Sequence, residues 1–260
     1  MMNRTIRQLT LAAVALGVAC FAQAADIHVV SSGGFAEAYK EMGAGFEKSS
    51  GHKLISEWGP SMGVTPNAIP VRLARGEDID VVIMVGGALD TLMQEGKLLP
   101  GSKVVLANSP IACAVKAGAK HYDISSLGAL KQTFLSVKSI AYSDSASGEY
   151  IKNTLMDKLG IKVQVQAKAT QIPATPVGEI VASGKAELGC QQRSELKAIQ
   201  GIDILGLLPQ DAQLITPFSA AIVSTSKHPQ ESRELLRFLG SPQNAHIIEK
   251  SGLEPMASHP

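Results

Sequence analysis

Short apolar runs alternate along the chain with segments in which apolar residues recur every three or four positions. The first pattern is typical of β-strands and the second of α-helices. The first hundred residues contain three such pairs, which predicts the βαβαβα order of an open α/β sheet. The predicted strands cover residues 26–30, 53–58 and 80–85, and the predicted helices cover 35–50, 69–75 and 88–95.

Two longer apolar segments, residues 103–116 and 215–224, depart from this order, and each contains an internal proline. A long interrupted strand can leave one lobe and enter another. We therefore predict an α/β fold of two lobes, with a ligand cleft between them. The first lobe is predicted to hold residues 25–107 and 222–260, and the second lobe residues 108–221.

The same periodicity predicts the remaining elements. Predicted helices begin near residues 126, 150 and 175, predicted strands cover 139–142, 162–168 and 186–191, and two amphipathic helices cover 229–239 and 242–251.

Four turns rich in hydroxyl groups or glycine follow predicted strands. They cover residues 30–34, 59–63, 142–150 and 175–178. A helix start offers free N–H groups and a favourable dipole to an anion, and hydroxyls add neutral donors. Ordinary helix capping is the alternative, since serine and aspartate are common caps. Repetition favours ligand binding, because turns at the carboxyl ends of strands face the ligand crevice in open α/β sheets.

The N-terminus has the three parts of a secretory signal peptide. Arg4 and Arg7 are basic, residues 9–21 are apolar, and Ala22 to Ala24 form an Ala-x-Ala cleavage site. We predict a signal peptide over residues 1–24 and a periplasmic mature protein. A lipoprotein signal acylated at Cys20 is the alternative, which Gly17 disfavours because leucine usually stands there.

The amino-acid composition and net charge restrict the classes of function that the chain can have. The 260 residues are 45% hydrophobic, with a net charge of +1. No basic stripe suggests nucleic-acid binding, and no second apolar segment is long enough for membrane insertion. Cys113 and Cys190 lack metal-site or redox-motif spacing. Two buried thiols are the favoured interpretation, with a disulfide left open. No metal or organic cofactor is predicted.

These turns resemble those of type II periplasmic solute-binding proteins of the molybdate-binding kind, over nearly the full mature chain. The resemblance implies that Ser32 and Ser61 take the places of the two oxyanion-binding serines. It also implies that Ser147 and Val177 bind the ligand through backbone N–H groups. The predicted ligand-binding residues are Ser31, Ser32, Ser61, Met62, Ser145, Ser147, Val177, Gln191, Gln192 and Arg193.

One position departs from that family. Gln192 stands where the family has a tyrosine, and Arg193 adds a positive charge. Amides and a guanidinium suit a multi-carboxylate ligand better than a small tetrahedral dianion. Arg72 is a possible second cation. The alternatives are that Arg193 is solvated and that Arg72 pairs with Glu77.

The chain is also similar to bacterial aconitate isomerases, which belong to the same superfamily. That similarity implies a cofactor-independent proton shift between trans- and cis-aconitate, with an acid or base on a cleft turn. The candidates are Asp144, Glu149, Glu179, Glu195 and Tyr150, which the sequence does not rank. The alternative is a non-catalytic receptor that delivers molybdate, another oxyanion or a carboxylate to an ABC importer. A monomer is expected in either case.

Overall fold

The computed structural model describes residues 24–256, so the predicted signal peptide falls almost wholly outside the described residues. The described chain folds around two mixed sheets, which confirms the predicted α/β architecture. The first sheet has the strand order β11 (Glu254–Pro255), β4 (Val104–Ser109), β10 (Thr216–Ile222), β3 (Val81–Val85), β1 (Asp26–Ser31) and β2 (Lys53–Trp58). The second has the order β7 (Ala169–Ile172), β6 (Ile140–Ser143), β8 (Leu188–Gln192), β5 (Ile111–Lys116) and β9 (Ile202–Leu207). None of the helices within residues 24–256 is both long and apolar enough to cross a bilayer.

The first lobe is built around the first sheet, in which β1 runs parallel to β2 and β3, and β10 runs antiparallel to β3 and β4. Its elements up to the first crossing are β1 (Asp26–Ser31), α1 (Gly33–Ser50), β2 (Lys53–Trp58), α2 (Ile69–Ala74), β3 (Val81–Val85), α3 (Gly86–Gln94) and β4 (Val104–Ser109). The elements after the chain returns are β10 (Thr216–Ile222), α10 (Pro229–Leu239), a 3₁₀ turn (Pro242–Asn244), α11 (Ala245–Ser251) and β11 (Glu254–Pro255).

The second lobe is built around the second sheet, in which β6 runs parallel to β7 and β8, and β5 runs antiparallel to β8 and β9. Its elements are β5 (Ile111–Lys116), α4 (Leu127–Ser136), β6 (Ile140–Ser143), α5 (Ala146–Tyr150), a π-helical turn (Ile151–Leu155), α6 (Met156–Lys158), α7 (Lys162–Val165), β7 (Ala169–Ile172), α8 (Val177–Ala182), β8 (Leu188–Gln192), α9 (Arg193–Lys197), β9 (Ile202–Leu207) and a 3₁₀ turn (Gln210–Ala212).

The two crossings lie at Pro110 and at residues 208–215. Pro110 separates β4 of the first sheet from β5 of the second. The whole of β10 belongs to the first sheet, so the second crossing precedes Thr216 instead of lying at the predicted boundary after residue 221. Pro217 lies within β10 at an exposed position and does not end the strand.

The predicted strand over residues 162–168 is wrong. Residues 162–165 form the short helix α7, and the strand β7 begins at Ala169. Alternation of valine and glutamine suggested a strand, but Ile161 and Val165 are both buried, four positions apart, and Val163 is largely exposed. That is helical spacing. The strand β9 was not predicted.

The interpretation of Cys113 and Cys190 as two thiols is also wrong, because the structure joins them in a disulfide. The two cysteines lie directly opposite each other on the antiparallel strands β5 and β8, with their Cα atoms 4.1 Å apart. Periodicity within one strand gives no information about this cross-strand register, which only the assembled sheet defines.

Candidate functional site

A cavity of about 210 Å³ lies between the two sheets, where turns from both lobes meet. Such a volume suits a small solute, since pockets for drug-sized ligands usually start at about 300 Å³. The first lobe lines it with Ser32, Gly33, Gly34, Trp58, Gly59, Pro60, Ser61, Asn67, Val85 and Phe218. The second lobe lines it with Ser143, Asp144, Ser145, Ser147, Ala174, Thr175, Pro176, Gln191, Gln192 and Glu195.

Two buried serine hydroxyls face the cavity from the first lobe. Ser32 is the N-cap of the 18-residue helix α1, but its Oγ atom makes no capping bond and has no other hydrogen-bond partner. The Oγ atom of Ser61 accepts the Val85 N–H at 3.0 Å and keeps its own proton to donate. Both hydroxyls can therefore donate to an anion in the cavity.

Close backbone packing shapes the cavity wall beside these serines. A Cβ atom on Gly33 would lie 2.6 Å from Oε1 of Glu195, and one on Gly34 would lie 2.2 Å from the Phe218 ring. Glycine at both positions lets the start of α1 approach the opposite lobe and the strand β10.

Three serines at the start of α5 line the cavity from the second lobe. Ser143 and Ser147 lie with their Oγ atoms 3.2 Å apart, and the Ser145 N–H donates to the Ser143 Oγ at 3.4 Å. Gly148 permits this tight turn, because a Cβ atom there would overlap the Ser143 carbonyl. The side chain of Ser145 makes no capping bond to α5.

Two predicted ligand donors bind each other instead of facing the cavity freely. The Val177 N–H at the start of α8 donates to Oε1 of Gln191 at 2.9 Å. The oxygen of Gln191 is therefore occupied, and only its amide NH₂ group is left to donate. The backbone donor that the family resemblance assigned to Val177 is therefore already in use.

Gln192 lies at the end of β8. Its Nε2 atom donates to Thr216 Oγ1 of the first lobe at 3.1 Å, and its Oε1 atom is buried without a partner. Gln192 thus joins the two lobes at the edge of the cavity.

Two of the candidate acids, Asp144 and Glu195, line the cavity, and the other candidates do not. The Glu149 carboxylate accepts from Asn153 and Gln171 at 2.7 and 2.6 Å, outside the cavity lining. Glu179 is exposed on α8. The Tyr150 hydroxyl donates to the Ala212 carbonyl at 3.0 Å.

Glu195 is the more strongly perturbed of the two cavity acids. Desolvation in the cavity raises the pKa of its carboxyl from 4.5 to about 7, the Gln191 side chain lowers it, and the nearby Asp144 carboxylate raises it. A carboxyl with a pKa near neutrality can both take and return a proton at physiological pH.

The two predicted cations, Arg193 and Arg72, bind other protein groups and do not line the cavity. Nε of Arg193 donates to the Gly252 carbonyl at 2.6 Å, and Nη2 lies 3.5 Å from the Leu253 carbonyl. Arg72 pairs with Glu57 and with Glu77. Neither guanidinium lines the cavity, so we do not assign Arg193 to the ligand; in the described cavity lining no side chain carries a positive charge.

Ser31 and Met62 also lie outside the cavity lining. Ser31 is fully buried in β1, where its hydroxyl donates to the Ser32 carbonyl at 3.2 Å. Trp58 and Asn67 line the cavity and were not predicted. Trp58 is the last residue of β2 in an open sheet, so the rule that strand ends carry ligand contacts would have indicated it.

Comparisons with known proteins agree with this geometry. The profile of a family described as bacterial extracellular solute-binding protein matches residues 27–254. An aconitate isomerase from Pseudomonas sp. is 50% identical over 232 residues, which cover 89% of this chain and 88% of that protein. A molybdate-binding protein from Rhodobacter capsulatus is 25% identical over 245 residues, 94% of each chain.

Among solved structures, the periplasmic molybdate-binding protein of Azotobacter vinelandii superimposes with a TM-score of 0.69 at 20% sequence identity. The superposition covers 87% of this chain and 98% of that protein. At this identity the likeness concerns the fold. Together the comparisons confirm both resemblances drawn from the sequence.

Proposed function

The chain belongs to the family of bacterial extracellular solute-binding proteins, and we propose that it is an isomerase that shifts a proton between carbons of a bound tricarboxylate, trans- or cis-aconitate. The similarity at 50% identity to an aconitate isomerase supports this substrate class. The observation that carries the proposal is Glu195, a carboxyl with a pKa near 7 inside an anion-binding cleft.

A carboxyl of this kind is difficult to explain in a simple anion receptor. A receptor needs only donors around its ligand, and a carboxylate beside an anion weakens binding through like-charge repulsion. An isomerase needs a titratable group close to a carbon-bound proton. Glu195 meets that need with a pKa near the working pH, which is where proton transfer is most efficient.

The surrounding groups are suited to hold the carboxylates of the substrate. Ser32 and Ser61 offer hydroxyl donors from the first lobe, and the hydrogen-bonded pair Ser143 and Ser147 keeps one free hydroxyl proton to donate from the second. The start of α1 adds free N–H groups and the positive end of the helix dipole. Neutral donors of this kind hold the carboxylates in the substrate and in the transition state alike, so their contribution is to binding.

The proposed step is a balanced allylic shift. The Glu195 carboxylate removes a proton from the methylene carbon, and the electron pair of that C–H bond delocalises over three carbons and their carboxylates. The protonated Glu195 then returns a proton to the former vinylic carbon, which moves the double bond by one position. Desolvation keeps the pKa of Glu195 high, and Asp144, the second acid of the cavity, raises it further.

The test is conversion of trans-aconitate by the purified mature protein, with both isomers resolved by chromatography. We expect cis-aconitate to accumulate to a constant ratio from either isomer, without added metal or cofactor. If tricarboxylates raised the melting temperature but neither isomer were converted, the protein would be a receptor, and the proposal would be wrong.

A receptor for an oxyanion is the second candidate. The free hydroxyls of Ser32 and Ser61 and the similarity to molybdate-binding proteins favour it. An increase in melting temperature with molybdate, in the absence of any effect of aconitate, would support it.

The export that we infer from Ala22 to Ala24 fits both functions. Cleavage before Ala25 is testable by N-terminal sequencing of protein from the periplasm.

A further inference from the structure

The backbone nitrogen of Ala25 binds a buried histidine on the side of the molecule that carries β1 and β2. Its N–H donates to Nδ1 of His52 at 3.1 Å, and the Ala25 carbonyl accepts the Lys53 N–H at 2.9 Å. Ala25 is 8% exposed and the His52 side chain 4% exposed, whereas Ala24 is exposed. The peptide bond at which we expect signal-peptide cleavage is therefore the one at which the chain enters the fold.

The His52 ring is fixed by its surroundings. It stacks on Phe46 of α1 with the ring centroids 6.0 Å apart, and the His52 N–H donates to Ser50 Oγ at 3.2 Å. Nε2 lies 3.5 Å from Oε2 of Glu234 on α10. Because a backbone N–H can only donate, Nδ1 is the acceptor nitrogen of the neutral ring, and Nε2 carries the proton on the side of Glu234.

Cleavage before Ala25 changes the group that His52 receives. In the precursor the Ala25 nitrogen belongs to a neutral amide. In the mature chain it is an α-amino group, which is mainly protonated near neutral pH. A charged donor forms a stronger hydrogen bond than an amide does, and the Glu234 carboxylate behind the ring favours a cation at this position.

We propose that His52, with Glu234 behind it, is the docking site for the α-ammonium group that signal-peptide cleavage creates at Ala25. The site lies outside the cleft and is independent of its ligand; it rests only on the export and cleavage inferred above. Docking joins the start of β1 to the end of α1 and to α10, so the fold is more stable after processing than before it.

The test compares two chains that differ only before Ala25. One begins at Ala25 and is released from a fusion protein cut directly before that residue. The other carries Gly-Ser in front of Ala25, which keeps the nitrogen as an amide. We expect the melting temperature of the extended chain to be lower by about 3 °C, because a neutral donor replaces a charged one.

His52→Leu in both chains shows whether the difference arises at this histidine. The variant removes the acceptor and fills its space with apolar atoms, so the two chains should then melt at the same temperature. His121→Leu is the matched control. His121 also lies beside a carboxylate, with Nε2 3.2 Å from Asp203, but in the second lobe, so the difference of about 3 °C should remain. A difference that persisted in His52→Leu would overturn the proposal.

Glu234→Gln covers the case in which the leucine variant does not fold. The Glu234 side chain is 52% exposed, so its replacement leaves the core intact and removes only the charge behind the ring. The difference in melting temperature between the two chains should become smaller. An unchanged difference would contradict the assigned role of Glu234.

A second readout does not depend on stability. In protein labelled with ¹⁵N-histidine, the Nδ1 signal of His52 should differ between the two chains, while the ring signals of His121 should coincide. Coincident His52 signals would overturn the proposal. If N-terminal sequencing of the exported protein finds another first residue, the cleavage proposal fails, and with it the natural role of this site, even where the two chains still differ.

Discussion

The two lobes contribute different chemistry to one cavity. The first lobe supplies neutral groups, with the hydroxyls of Ser32 and Ser61 at glycine-rich turns. The second lobe supplies both ionisable side chains, Asp144 and Glu195, and it also carries the disulfide next to Gln191. A binding-protein scaffold can gain an acid–base group in one lobe while the other keeps its anion-holding turns, because function depends on the site and not on the fold.

The largest expected effect concerns the second lobe. Glu195→Gln keeps the shape of the side chain and removes its ability to exchange a proton. We expect kcat to fall roughly 10²–10⁴-fold, the usual contribution of a general acid or base, with KM changed only slightly. Glu149→Gln is the matched control, because Glu149 lies outside the cavity lining. Equal loss in both variants would contradict the assignment.

The disulfide offers the next test, since it cross-links only the second lobe. Cys113 and Cys190 are 77 residues apart in sequence. Closing a loop of this length stabilises a folded chain by about 4.5 kcal/mol in the chain-entropy account. Replacing both cysteines with alanine should lower the free energy of unfolding by up to that amount in urea titrations. No loss of stability would show that the sheet alone holds β5 and β8 together.

The pH dependence of stability tests how much the desolvation of Glu195 costs the folded protein. The pKa of Glu195 is raised from 4.5 to about 7, so between these pH values the unfolded chain ionises this carboxyl while the folded chain keeps it protonated. Stability therefore falls as pH rises through this window, by at most about 3 kcal/mol.

Glu195→Gln removes the carboxyl group and with it this loss of stability at higher pH. The variant should match the unchanged protein below pH 4.5 and should be more stable above pH 7. Thermal unfolding at both ends of the range measures the difference. Equal stability at high pH would mean that Glu195 has an ordinary pKa.

Substitutions in the first lobe should change KM more than kcat. Ser32→Ala removes a hydroxyl that has no partner within the described protein, so stability should hardly change. Loss of a hydrogen bond to a charged ligand costs about 2 kcal/mol, which raises KM roughly 30-fold at nearly constant kcat. Ser219→Ala is the matched control, because its Oγ is also buried without a partner but lies outside the cavity lining. A large fall in kcat for Ser32→Ala would contradict the division between the lobes.

The smallest effect is expected at Arg193, whose guanidinium binds carbonyl groups near the end of the described chain. Arg193→Ala should lower stability by about 1–2 kcal/mol through loss of these bonds. Steady-state kinetics should give a KM within a few-fold of the original value. If the Michaelis constant instead rose by two orders of magnitude, Arg193 would belong to the ligand site, as its position in the sequence suggested.

The sequence predicted the parts of this molecule that depend on local pattern. Apolar periodicity gave most helices and strands and the α/β class, and strand ends followed by hydroxyl or glycine turns indicated Ser32, Ser61 and Ser147. These features follow from backbone preferences and from the geometry of open sheets, which act within a few residues.

The sequence did not predict which way long side chains point. Arg193 finds its acceptor at Gly252, 59 residues later, and Gln191 meets Val177 across two elements of the second lobe. The orientation of these side chains depends on contacts with parts of the chain that are distant in sequence. Glu195 was one candidate among several for the same reason, since its raised pKa results from burial that only the assembled lobes create.

The central claim is that a carboxyl in this cleft removes a proton from carbon. The most direct measurement is ¹H NMR of trans-aconitate in D₂O with the unchanged protein and with Glu195→Gln. We predict that the unchanged protein produces cis-aconitate resonances and replaces carbon-bound protons with deuterium, while the variant still broadens the substrate signals by binding but does neither. Broadening of the substrate signals by both proteins, without product or exchange in either, would contradict the account and identify a receptor.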